Sequence, residues 1–183
     1  SHDLRTILTR FKLSLALMPE DGETEALAKD VVEMQNMLEA YLAFARGDSG
    51  ESSAMIDMRA LLEDMQAEAE RHGRQMGIQA EGETLVTVRP NALKRCLTNL
   101  VANAQRHAAR VDVRAVRDER YLTVTVDDDG PGIPADKREL VFRPFYRLDE
   151  ARNQDEAGSG LGLAIARDIA RSHGGDITLA DSP

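Results

Sequence analysis

The sequence predicts an α-helical hairpin over residues 1–46, completed as a dimeric four-helix bundle, followed by an α/β sandwich over residues 55–183. Three observations predict it. Apolar residues recur at heptad spacing near the N-terminus, a small polar run interrupts them, and beyond that run helical periodicities alternate with short β-branched stretches.

The hairpin comes first. Leu4, Leu8, Phe11, Leu15 and Met18 alternate spacings of four and three, the seam of a helix that packs along one side. Pro19, Glu20, Asp21 and Gly22 form a turn signal, after which the stripe resumes at Leu27, Val31, Met34, Leu38, Tyr41 and Ala45. Met37, Leu42 and Phe44 widen this second stripe beyond what one partner helix covers, so a second copy of the hairpin is expected to bury it. Residues 47–54, GDSGESSA, break the helical pattern and read as a flexible linker. In the second unit the patterns predict a helix over 58–72, short strands within 78–88 and a helix from Pro90 to about Ala108. Strands follow at 111–116 and 121–127, then a helix over 161–173 and a strand at 176–180.

Composition narrows the function classes. The net charge of -9 repels a polyanionic backbone and argues against a nucleic-acid binder. The apolar stretches fall short of the roughly 20 residues a spanning helix needs, and no charged-then-apolar leader is present. The single cysteine, Cys96, allows no internal disulfide and no cysteine metal cluster; it reads as a buried structural thiol that suits a reducing cytoplasm.

Four segments carry chemistry. Asp127, Asp128, Asp129, Gly130, Pro131 and Gly132 put an acid and a glycine turn at the end of a strand. Alone this is compatible with a plain turn, but a carboxylate there could accept a hydrogen bond from an exocyclic amine such as that of adenine. Gly132 would then let a flat base approach the backbone. Gly158, Ser159, Gly160, Leu161 and Gly162 lead into a helix, where backbone N–H groups can hold phosphate; a Walker-type loop is excluded because no GxxxxGK[ST] segment exists. On the helix from Pro90, Leu93, Leu97, Leu100 and Ala104 form the apolar stripe, whereas Asn99 and Asn103 share a different face one turn apart. The pair reads either as solvent-facing or as a site where an amide oxygen can ligate Mg2+ on ATP phosphates. Arg106 projects from nearly the same side, and His107 lies nearer the stripe. Phe142, Arg143, Pro144, Phe145 and Tyr146 concentrate three of the seven aromatic residues in a loop-like stretch, which reads either as an ordering lid or as a small satellite core.

Together, NLVANAQRH around Asn103, DDGPGI from Asp128, FRPF from Phe142 and GSGLGLAI from Gly158 resemble the N, first glycine, F and second glycine boxes of sensor histidine kinases, in the family's order and spacing. SHDLRTILT at the start resembles the histidine box of the class I, EnvZ-like members. The resemblance implies that 55–183 is a Bergerat-type ATP-binding domain and 1–46 the dimerisation and phosphotransfer hairpin. By the same likeness Asn103 holds Mg2+, with Asn99, Arg106 and His107 nearby, and Asp128 binds the adenine amine. Gly130, Gly132, Gly158, Gly160 and Gly162, with Ser159 and Leu161 between them, shape the pocket and lid. His2 is then the phospho-acceptor, Asp3 its orienting base, and Thr6 the residue that orients water against an aspartyl phosphate on a response regulator. Helical geometry agrees on one point independently: at about 100° per residue His2 lies about 180° from Phe11, away from the seam. The likeness further implies a cytoplasmic fragment of a bacterial inner-membrane sensor kinase, with the membrane segments outside this sequence. Two other readings are a silent dimeric phosphotransfer adaptor and another ATPase of the same nucleotide fold. One position departs from the family: Ile7 stands where proline usually follows the threonine, which predicts a straighter helix and a shifted balance between kinase and phosphatase states.

Overall fold

The computed structural model describes residues 2–18, 24–28, 30–32, 34–35, 38, 50–148 and 160–182, with the backbone alone at 2–5 and 8. Helix α1 runs His2–Leu15, and α2 includes the helical residues 24–28, 30–32, 34–35 and 38. Leu15 and Val31, one from each predicted stripe, are buried together with Ala28 and Leu38 packed against them. Other stripe members stay open in the single chain: Phe11 is 55% exposed, Met34 57% and Met18 54%. Tyr41, Ala45, Met37, Leu42 and Phe44 lie outside the described residues.

The second unit begins earlier than the pattern suggests. Ala54–Asp57 forms β1, a strand too short to show an alternation, paired antiparallel with β3, Leu85–Val88, from Ala54 opposite Val88 to Asp57 opposite Leu85. Helix α3, Met58–Arg71, starts where Asp57 accepts the Arg59 N–H at 2.9 Å. It buries Met58, Leu62, Met65 and Ala69 at helical spacing and ends at Gly73, whose φ of +68° suits a helix C-terminus. Strand β2, Gln75–Glu81, runs parallel to β4, Arg110–Arg117, which pairs antiparallel with β5, Leu122–Asp128. Parallel strands need a crossover, here supplied by β3 and helix α4, Pro90–His107. The β2–β4–β5 sheet leaves β2 at an edge. Gln66 and Arg59 of α3 donate to the Met76 and Ala80 carbonyls of β2 at 2.8 and 2.7 Å, occupying acceptors a bare edge would present.

Two clusters form the core. Met58, Leu62 and Met65 of α3, Leu97, Val101 and Ala104 of α4, and Val111, Val113 and Ala115 of β4 make the first. Ala92 and Cys96 of α4 pack with Leu161, Ile165, Ala166 and Ile169 in the second, the last three from α5, Gly162–Ser172. Helix α4 is therefore buried on two sides rather than along one stripe, because it lies between the sheet and α5; Leu93 and Leu100 are half-buried. Cys96 is buried as expected, its thiol pushed up to about 11 by desolvation.

Two expectations are corrected. The strand at 176–180 does not form: residues 175–182 show no regular structure, because no ladder pairs them among the described residues. Side chains hold this segment instead, through Arg138 on Asp181, Ser182 on Asp127 at 3.4 Å, and Ile177 against the second cluster. The segment read as a flexible linker is also tied down at Glu51. Its carboxylate accepts the Asn91 N–H at 2.8 Å and the Ala92 N–H at 3.0 Å, and the Asn91 amide at 2.9 Å. The N-cap residue of α4, Arg89, makes no side-chain cap, so Glu51 satisfies amides the helix leaves open. No helix among the described residues is long and apolar enough to cross a membrane.

Glu51 makes stability depend on pH. Hydrogen bonds from Asn91 first, and from Ala92, hold its carboxyl below the ordinary 4.5. A group depressed by folding stabilises above its unfolded pKa and loses that contribution as the pH falls through its folded one. Glu51→Gln is expected to lower the thermal midpoint at pH 7, and the gap from the parent chain should close as the pH drops below 4.5. A gap that stays constant down to acid pH contradicts the assignment.

Candidate functional site

Helix α4 supplies one wall of the site. Asn99 and Asn103 lie one turn apart on it and both are half-buried, whereas Arg106 and His107 in its last turn are exposed. His107 thus does not pack against the apolar stripe: the stripe closes at Ala104, and His107 falls past the end of the sheet contact. The Asn99 amide nitrogen is buried and has no hydrogen-bond partner among the described residues. A buried unpaired donor is costly, about 1–3 kcal/mol, unless a ligand satisfies it.

The turn after β5 forms a second wall. Asp128 is half-buried, and its Oδ1 accepts the Gly130 N–H at 2.9 Å. A Cβ on Gly130 would stand 2.7 Å from that oxygen and 3.0 Å from the His107 carbonyl oxygen, so only glycine lets the turn close on the end of α4. Gly132 adopts φ +71° and faces open space, which leaves room for a flat group on the backbone. Asp129 has a different task. Its Oδ1 accepts the Ala109 and Arg110 N–H groups at 2.9 and 3.0 Å, binding the glycine turn to the α4–β4 connection; those bonds, Arg110 first, hold its carboxyl below the usual range. Three consecutive aspartates hide this role from sequence reading.

The third wall comes from far along the chain. Gly160 has φ +67°, and a Cβ there would lie 2.9 Å from the Phe145 backbone; its carbonyl accepts the Phe145 N–H at 3.0 Å. Phe145 itself holds φ 67°, a left-handed conformation rare for a bulky side chain and one that clusters at ligand clamps. Of the aromatic stretch, Phe142 is buried and Phe145 is 51% exposed, so one ring is core and the other is surface. Leu161 turns its side chain into the second core cluster, leaving its backbone as the part available to a ligand. Gly162 opens α5 with no side-chain cap on that helix, and its missing Cβ lets Asn99 approach: Asn99 Oδ1 would lie 3.7 Å from it. Gly158 and Ser159 lie outside the described residues.

The start of α5, where the N-cap residue makes no side-chain cap, lies beside Asn99: its Oδ1 is the atom nearest to where a Cβ on Gly162 would stand, and its Nδ2 is the donor left unpaired among the described residues. Asn99, Asn103, Asp128, Gly130, Gly160 and Gly162 are thus joined through α4. His2, Asp3 and Thr6 belong to α1, whose buried contact is with α2; Thr6 is exposed, and only the backbone is described at His2 and Asp3. Among the described residues no group of three or more His, Cys, Asp and Glu could hold a metal.

Known proteins are similar to this chain. The family model of the histidine kinase-, DNA gyrase B-, and HSP90-like ATPases matches residues 88–183. The sensor histidine kinase CpxA of Escherichia coli K12 is 35% identical over 195 residues, covering 100% of this chain and 43% of CpxA. GtrS of Pseudomonas aeruginosa is 34% identical over 180 residues, covering 98% of this chain and 37% of GtrS. The chain thus spans less than half the length of these relatives. Among solved structures, the mycobacterial sensor histidine kinase MprB is 29% identical with a TM-score of 0.56 over 67% of this chain and 80% of that one. The ATP-binding domain of PrrB from Mycobacterium tuberculosis is 26% identical with a TM-score of 0.60 over 73% of this chain and 90% of that one. Full-length ShkA, solved with AMPPNP, shares the fold at a TM-score of 0.68 over 99% of this chain and 43% of that one, at 22% identity. By sequence along its whole length and by the fold of its second unit, this chain belongs to the sensor histidine kinases.

Proposed function

We propose that this chain binds ATP with Mg2+ and transfers the γ-phosphoryl group to His2, from which it passes to an aspartate of a response regulator. The observation that carries the reading is the buried, unpaired Asn99 amide beside Gly162 at the uncapped start of α5. It fits a phosphate oxygen, and nothing else among the described residues satisfies it.

In this reading the adenine amine donates to Asp128 while the base lies over Gly132, and Gly130 fixes the turn. Gly158, Ser159, Gly160, Leu161 and Gly162 offer backbone N–H groups to the phosphates, and Arg106, exposed on the same side of α4, meets a phosphate oxygen. Asn103 would hold Mg2+, with Asn99 nearby, and the ion would supply charge neutralisation on the phosphates. The neutral His2 imidazole forms an N–P bond as the bond from phosphorus to the ADP oxygen breaks, and Asp3 accepts the proton from the other ring nitrogen. Thr6 orients water for the reverse duty, hydrolysis of the regulator's aspartyl phosphate. The apolar residues that α1 and α2 leave exposed, Phe11, Met18, Leu27 and Met34 among them, support burial in a dimeric four-helix bundle. The hairpin of 1–46 and the ATP-binding domain of 55–183 are the two working parts, joined by the shortened linker before Glu51.

Incubation with γ-labelled ATP and Mg2+ should place an acid-labile label on the chain, and His2→Gln should abolish it; acid-stable label, or label that survives the substitution, contradicts the reading. Thr6→Ala should slow dephosphorylation of the regulator by roughly a hundredfold, the lower end of what a positioned proton-transfer group contributes, with His2 labelling little changed. Equal loss of both activities would remove the assignment of Thr6.

A further inference from the structure

Arg167 lies in α5 and, for an arginine, is unusually enclosed, its side chain 14% exposed. Its guanidinium carbon stands 4.3 Å from the centre of the Phe142 ring. Nη1 donates to Glu139 Oε2 at 2.7 Å and Nη2 to Oε1 at 3.4 Å, while Nε donates to Asp176 Oδ1 at 2.8 Å and Nη2 to Oδ2 at 3.4 Å. One planar cation thus meets two carboxylates and an aromatic face, a combination the guanidinium fork permits and an ammonium does not. Arg171 holds Asp176 from the next turn, at 3.3 and 3.1 Å.

The partners give this clamp its meaning. Glu139 immediately precedes the one-turn 3-10 helix Leu140–Phe142, a short element with little stability of its own. From Phe142 the chain runs directly to Phe145, whose strained backbone donates to Gly160, and Gly160 leads through Leu161 into α5. The path closes a ring: α5, Arg167, Phe142, Phe145, Gly160 and back to α5. Resting on the reading of the Gly160–Gly162 turn as the phosphate side of the site, we propose that Arg167 is a positioning residue. By clamping Glu139 and Phe142 onto α5, it fixes the Phe145–Gly160 contact and thereby the glycine turn that faces the phosphates.

An exposed ion pair that only adds stability would act on the whole fold, usually weakly. A positioning residue acts locally, and amide hydrogen exchange in the chain without nucleotide separates the two. In Arg167→Ala and in Glu139→Gln, the Phe145 amide should exchange about tenfold faster while the Val113 amide, in the core strand β4, keeps its parent rate. Arg167→Lys should fall between, because it retains the charge and loses the planar contact. His2 labelling by ATP should slow in the same order. An unchanged Phe145 rate, or equal acceleration at Phe145 and Val113, overturns the proposal. The exchange result does not need turnover, so a parent chain that fails to label His2 would remove the kinase reading and leave this inference to stand or fall on Phe145.

Discussion

Helix α4 is gripped on two faces, by Val111, Val113 and Ala115 of the sheet through Leu97, Val101 and Ala104, and by Ile165, Ala166 and Ile169 of α5 through Ala92 and Cys96. Each large apolar side chain so buried contributes about 1.5–3 kcal/mol, so the helix has almost no freedom to rotate. Because its remaining side carries Asn99 and Asn103, fixing α4 also fixes two amides that make poor helix residues and would otherwise have little reason to stay half-buried. The same packing sets α5 beside α4, which brings Gly162 to Asn99 although the two are far apart in sequence.

The other walls are attached to this scaffold rather than built independently. Asp129 ties the glycine turn to the α4–β4 connection, and the absence of a side chain at Gly130 lets that turn press against the last carbonyl groups of α4. Phe145 and Gly160 both accept left-handed backbone to meet each other, and such strain persists only where surrounding contacts impose it. The candidate site is therefore held rigid along α4, where it presents a helix start without a side-chain cap and an asparagine amide unpaired among the described residues.

Much of this was legible in the sequence, for identifiable reasons. The helix from Pro90 and the strands at 111–116 and 121–127 have strong periodicities and sharp boundaries, and the glycine segments stand out because φ > 0 admits few other residues. What escaped reading depends on long-range contact. Strand β1 is only four residues long, and its partner lies across α3 and β2. Glu51 sits in a run that looks like linker, and only its distance from the start of α4 shows it to be a cap. Asp129 cannot be told from Asp127 or Asp128 by type, and Leu161 reads as part of a glycine loop although its side chain fills the core. The strand expected at 176–180 had the right residues, but a strand is defined by its neighbour, and none pairs with it among the described residues.

We propose that the Asn99 amide, unpaired among the described residues, is a donor to a phosphate oxygen. Asn99→Ala tests it most directly, with the affinity for Mg2+ and ATP measured by calorimetry beside the thermal midpoint of the chain without nucleotide. Loss of a hydrogen bond to a charged group should weaken nucleotide binding by about tenfold to a hundredfold, while removal of an unpaired buried donor should leave the midpoint unchanged or raise it. Unaltered affinity together with a lowered midpoint would show that Asn99 serves the fold and not the ligand.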